Sequence, residues 1–185
     1  MRSSLMAGLS AVSFVLAACG GKGDSSVGKP VTGGSATAPA PTGGEIATTI
    51  HLVVGGGPHA GTYDAQSGDI TCTYGFAGPG SWGNQYSVAG KKGNEFSSLQ
   101  LIVPDTKDAS DGSDKFLLTA GFGEPMKPGS AEYTINTGGG DQNKAGSGVV
   151  TVDDKGKSGT VTFKGQTKDG VTLEGTIDCR QMMRG

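Results

Sequence analysis

Turn chemistry recurs roughly every ten residues along this chain, a spacing that leaves room for short strands and little else. The pattern is clearest near the C-terminus. Gly148-Val149-Val150-Thr151-Val152 is a β-branched run, Asp153-Asp154-Lys155-Gly156 is a turn, and Thr160-Val161-Thr162-Phe163-Lys164 returns. Asp169-Gly170 is a strong hairpin signal, and residues 171–179 complete a meander.

Glycine reinforces the constraint. The chain has 35 Gly among 185 residues, and each Gly inside a helix costs roughly 1 kcal/mol relative to Ala. Long helices are disfavoured and tight turns are easy. Upstream, residues 46–54 (Ile-Ala-Thr-Thr-Ile-His-Leu-Val-Val) read as a strand that ends at Gly55-Gly56-Gly57-Pro58. Further strands are expected over 61–63, 69–74, 85–88, 96–103, 115–120 and 131–136. The run at 96–103 becomes continuously apolar, as an inner strand does, and Pro104 stops it. Residues 105–114 are polar, with room for one helical turn, and Gly138-Gly139-Gly140 opens a long loop. Residues 45–185 are therefore expected to form a single all-β, Gly-rich antiparallel domain. Its architecture is a β-sandwich or a partly closed barrel.

Ahead of that domain the composition changes twice. Arg2 and the amino terminus give a positive start, and residues 5–16 are apolar apart from Gly8, Ser10 and Ser13. About a dozen residues is too short for a membrane-spanning helix, which needs roughly 20. Leu16-Ala17-Ala18-Cys19 follows. This stretch resembles the lipobox of bacterial lipoprotein precursors. The resemblance implies removal of residues 1–18, a thioether-linked lipid on Cys19 with palmitate-type acylation, and attachment to a membrane outside the cytoplasm. The alternative is an ordinary secretory signal with an unmodified Cys19. Gly20 stands where such lipoproteins carry aspartate when retained at the inner membrane, so the expected location is the outer membrane or cell surface. Residues 19–44 then read as the lipidated cysteine and a Gly/Ser/Thr/Pro tether with too little apolar surface to fold. About 25 such residues span roughly 25–30 Å.

With Cys19 assigned to lipid, Cys72 and Cys179 remain. In an exported protein two cysteines most simply pair; the alternative is two unpaired buried thiols. A bridge would close a loop of roughly 100 residues, worth up to about 4–5 kcal/mol on a chain-entropy view. Two isolated cysteines fall short of the four ligands of a structural zinc site. The domain is also similar in architecture to small mycobacterial lipoprotein antigens. That likeness is carried by Thr71-Cys72-Thr73 and Gly175-Thr176-Ile177-Asp178-Cys179, and it brings no catalytic residues.

Charge argues against a nucleic-acid partner: 15 basic and 17 acidic residues are mixed along the chain, for a net charge of -2. Gly55-Gly56-Gly57-Pro58-His59-Ala60 fits a dinucleotide-binding pattern, but the segment after it, Gly61-Thr62-Tyr63-Asp64, is not helical as that chemistry requires. Asp105, Asp108, Asp111 and Asp114 could offer oxygens to Ca²⁺. They lack EF-hand spacing and stand beside Lys107 and Lys115, so a solvated loop is the preferred reading. Tyr74, Phe76, Trp82 and Tyr86 surround a Gly/Pro loop and are the candidate ligand-contact surface; the alternative is packing beneath that loop. His51 and His59 lack an acidic partner at a recognisable spacing, and no nucleophile motif accompanies them. The expectation is a non-catalytic binding or structural module, not an enzyme, with no cofactor and no metal beyond the weak Ca²⁺ candidate. Its partners would be the membrane, through Cys19, and an envelope protein or glycan. A carbohydrate- or small-ligand-binding protein using residues 74–86 is the alternative, and an envelope enzyme a distant third.

Overall fold

The computed structural model describes residues 36–37, 45–138 and 143–185. The signal segment, Cys19 and the rest of the tether lie outside the described residues. All that follows concerns the unit Thr32–Gly185.

The strands are β1 (Ala36–Thr37), β2 (Thr48–Gly55), β3 (Gly61–Ser67), β4 (Cys72–Tyr74), β5 (Trp82–Ser87), β6 (Phe96–Val103), β7 (Leu117–Phe122), β8 (Ala131–Asn136), β9 (Ser147–Asp154), β10 (Gly159–Gln166), β11 (Thr172–Cys179) and β12 (Met182–Arg184). No helix occurs among the described residues. They form two six-stranded sheets, ordered β1-β3-β2-β11-β10-β9 and β12-β4-β5-β6-β7-β8. All neighbours run antiparallel except β1 beside β3 and β12 beside β4. The sheets stack face to face, so the architecture is a sandwich, not a closed barrel.

Period-two patterning decides which side chains meet between the sheets. Along β11, Leu173, Gly175, Ile177 and Cys179 turn inward, while Thr172, Glu174, Thr176 and Asp178 turn out. Ile50, Leu52 and Val54 of β2 face inward beside them, and Leu99, Leu101 and Val103 of β6 line the opposite sheet. Gly175 is required by closeness: a Cβ there would lie 2.1 Å from the His51 carbonyl oxygen and 2.9 Å from the Phe163 ring.

The chain changes sheets between β3 and β4, between β8 and β9, and between β11 and β12. Beside the first and last of these crossings, Cys72 of β4 is bonded to Cys179 of β11. Both half-cystines are fully buried, and the bridge links positions 107 apart in sequence. It joins one sheet to the other at the end where β2 begins, since Cys179 pairs with Thr48.

Several boundaries differ from sequence expectation. The strand expected over 85–88 begins at Trp82, and that expected over 69–74 is confined to Cys72–Tyr74. β12 was not foreseen. It is held by its parallel ladder to β4, by the Arg184 guanidinium against Asp154, and by Arg184 Nε donating to the Gly156 carbonyl at 2.7 Å. The same guanidinium lies 4.5 Å from the centre of the Tyr74 ring.

Candidate functional site

The residues singled out by sequence fall in different settings. Trp82 and Tyr86 are core residues, at 0% and 4% exposure, turned inward from β5. Tyr74 is half-buried under Arg184. Phe76 lies on the other face of the sheet, over Gly83, where an added Cβ would come within 2.5 Å of its ring. The four aromatics therefore divide between the two faces of one sheet and make no common exposed platform. Asp105, Asp108, Asp111 and Asp114 all face solvent, because Thr106, Ala109 and Ser113 between them turn in. Asp105 Oδ1 accepts from the Lys107 amide at 2.8 Å within a turn closed by Ala109 N–H to Asp105 O at 3.2 Å. Among the described residues no group of three or more His, Cys, Asp or Glu is arranged to hold a metal. The loop instead covers a sheet edge: Ser113 and Val150 exchange backbone hydrogen bonds of 2.8 Å, and Val152 N–H reaches Ala109 O.

A polar cluster surrounds the disulfide. Thr71 Oγ1 donates to Thr48 Oγ1 at 2.9 Å and accepts from Asn84 Nδ2 at 2.7 Å. Asn84 Nδ2 also lies 3.6 Å from Cys72 Sγ. Asn84 Oδ1 and Trp82 Nε1 are buried without a protein partner.

The opposite end of the sandwich is built around His59. Carbonyl oxygens of Gly93 and Gly129 lie 3.2 and 3.0 Å from its Nε2. Carbonyls only accept, so in the neutral ring Nε2 carries the proton and Nδ1 accepts from the Tyr133 hydroxyl at 2.9 Å. Gly93 belongs to the β5–β6 loop and Gly129 to the β7–β8 loop. One imidazole therefore clamps two loops from beneath, its ring packed 4.7 Å from that of Phe122. The Tyr63 hydroxyl donates to the His59 carbonyl at 2.8 Å. Burial pushes the Tyr63, Tyr86 and Tyr133 phenols above their ordinary value. A neighbouring Tyr133 charge adds to the rise at Tyr63, and hydrogen bonding with the His59 backbone opposes it at Tyr133.

Between the clamped loops runs an open groove of about 760 Å³. Its floor is one row of outward positions, Ser87, Ser98, Gly121 and Glu132, in register across β5, β6, β7 and β8. A bulge in β6 between Phe96 and Ser98 adds Ser97 to the lining. On one side stands a tight turn, closed by Lys127 N–H to Glu124 O at 3.1 Å. Pro125 and Met126 are its central residues, and Met126 has φ 66°. A type II turn asks for Gly or Asn there, and a bulkier residue costs on the order of 1 kcal/mol. The Met126 side chain is completely exposed.

Comparison with family models, curated proteins and solved structures gave no match to this chain.

His51 makes a second polar arrangement on the outer face of the other sheet. Its Nδ1 lies 2.7 Å from Asp64 Oδ1, and Asp64, His51 and Thr176 share one row across β3, β2 and β11. Those are the residue types of an acyl-transfer triad. The amides of β2 and β11 are spent in ladders on both sides, so no N–H pair faces this row to receive an oxyanion.

Proposed function

We propose that this chain is a lipid-anchored lipoprotein of the cell envelope whose β-sandwich is a non-catalytic binding or structural module. The Cys72–Cys179 bridge carries the reading. It engages two of the three cysteines and leaves Cys19, inside Leu16-Ala17-Ala18-Cys19, as the sulfur available for acylation. A buried disulfide between sheets also suits an oxidising compartment outside the cytoplasm. Two or more acyl chains at the tether's start would hold the domain stably at a membrane surface. Gly20 at the next position favours the outer membrane or the cell surface.

The histidines support a non-catalytic role. His59 has both ring nitrogens engaged in structural hydrogen bonds, and His51, which lines an open depression of about 350 Å³ with Thr176, has no free backbone N–H pair beside it to receive an oxyanion. Two measurements on cells making the full chain test the proposal. Metabolic labelling with an alkyne fatty acid should tag the native protein and not Cys19→Ala; equal labelling of both would overturn the anchor. Crosslinking of intact cells followed by mass spectrometry should capture a dominant protein neighbour, and capture of none would overturn the binding role.

A further inference from the structure

Val88 and Met126 are large apolar side chains left exposed by the domain, one on each loop flanking the groove. Met126 stands out. Its backbone conformation favours glycine, and its side chain packs against nothing in the domain. A side chain with no packing partner in the domain is free to contact a partner molecule. Methionine suits such contact, because its unbranched, polarisable side chain adapts to irregular partners.

The polar lining has a definite sign. Glu124 and Glu132 face the groove, and neither forms an ion pair among the described residues. No Lys, Arg or His among the described residues lines it. Lys91 on one flanking loop is turned to Glu95 at 3.8 Å, and Lys92 and Lys127 stand outside the lining. Serine hydroxyls at Ser87, Ser97 and Ser98 supply neutral donors and acceptors along the floor. A glycan would seek an exposed ring to stack on, but the ring lining this groove, Phe122, is 1% exposed. The mix of carboxylates, hydroxyls and an exposed thioether instead complements a polypeptide.

We propose that this groove docks a short, extended polypeptide segment in which basic and apolar side chains alternate. The basic groups would meet Glu124 and Glu132, the apolar ones Met126 and Val88, and the segment's amides the serine floor. His59 is a positioning residue, since it holds both walls without facing the groove. This deepens the reading of the domain as a binding module and is independent of the lipid anchor.

The test uses the full chain coupled directly to a biosensor, with a blank surface subtracted, and the peptide Lys-Val-Lys-Val-Lys-Val as probe. Saturable binding is expected, weakened about tenfold in the double variant Glu124→Gln/Glu132→Gln and, in the native chain, by added salt. Met126→Gly should weaken it several-fold while raising the thermal midpoint, a pairing that loss of fold cannot produce. Binding unchanged in either variant overturns the proposal. So does equal binding of Glu-Val-Glu-Val-Glu-Val, or a preference for a chito-oligosaccharide. In-cell crosslinking of the same variants separates the levels. A partner captured equally by native and variant chains overturns the groove and leaves the binding module standing. A native chain that captures none overturns the module.

Discussion

His59 joins three stretches that are distant in sequence: its side-chain partners lie 34, 70 and 74 positions away. That separation is why its place in the fold could not be read from the chain, where it is one histidine beside a Gly-Pro turn. Replacing it with Ala would leave the Gly93 and Gly129 carbonyls and the Tyr133 hydroxyl without their shared partner and open a cavity under Phe122. The expected loss is about 2–4 kcal/mol of stability, read as a lower urea midpoint. An unchanged midpoint would mean the two loops support each other without the clamp. Met126 was no more legible. Pro125 fits type I and type II turns alike, and Met at the third position points to type I, so its φ of 66° could not be read from Glu124-Pro125-Met126-Lys127. The aromatic cluster misled as a surface because closeness in sequence says nothing about faces. Trp82 and Tyr86 share the inner parity of β5, and Phe76 reaches across Gly83 to the outer one.

Strands that bury one face were legible because two-residue periodicity is a local property. Phe96–Val103 and Ala131–Asn136 begin and end where the pattern placed them. β4, β5 and β12 were harder, since their extents depend on pairing partners rather than on their own residues. β12 is three residues with two methionines, and it becomes a strand because the crossing at Cys179 delivers it beside β4. The disulfide was the one long-range contact open to inference, and it needed only a count of cysteines. Removing it as Cys72→Ala/Cys179→Ala should lower unfolding free energy by up to about 4–5 kcal/mol on the chain-entropy view. Amide exchange at Met182–Arg184 should accelerate first, because that strand leans on the adjacent bridge. A loss below about 1 kcal/mol would show that sheet packing alone fixes the crossing.

At the scale of the molecule, three of the four tyrosines have phenols raised by burial above the ordinary value of 10.0. The unfolded chain releases these protons near that value while the folded one retains them. The stability they confer is therefore whole below about pH 10 and lost as pH climbs through the raised values. Phenolate absorbance should develop late and together with loss of the β circular dichroism, and early, independent ionisation of all four would contradict the burial. The strand order has a further consequence, one of timing. β11 lies in the middle of its sheet, between β2 and β10, yet it comes after every other strand of that sheet among the described residues. A polypeptide delivered N-terminus first thus presents β2 with an empty flank until residues 172–179 arrive. Residues 172–179 thus supply the shared partner of β2 and β10, and the middle of this sheet is closed by its latest long strand.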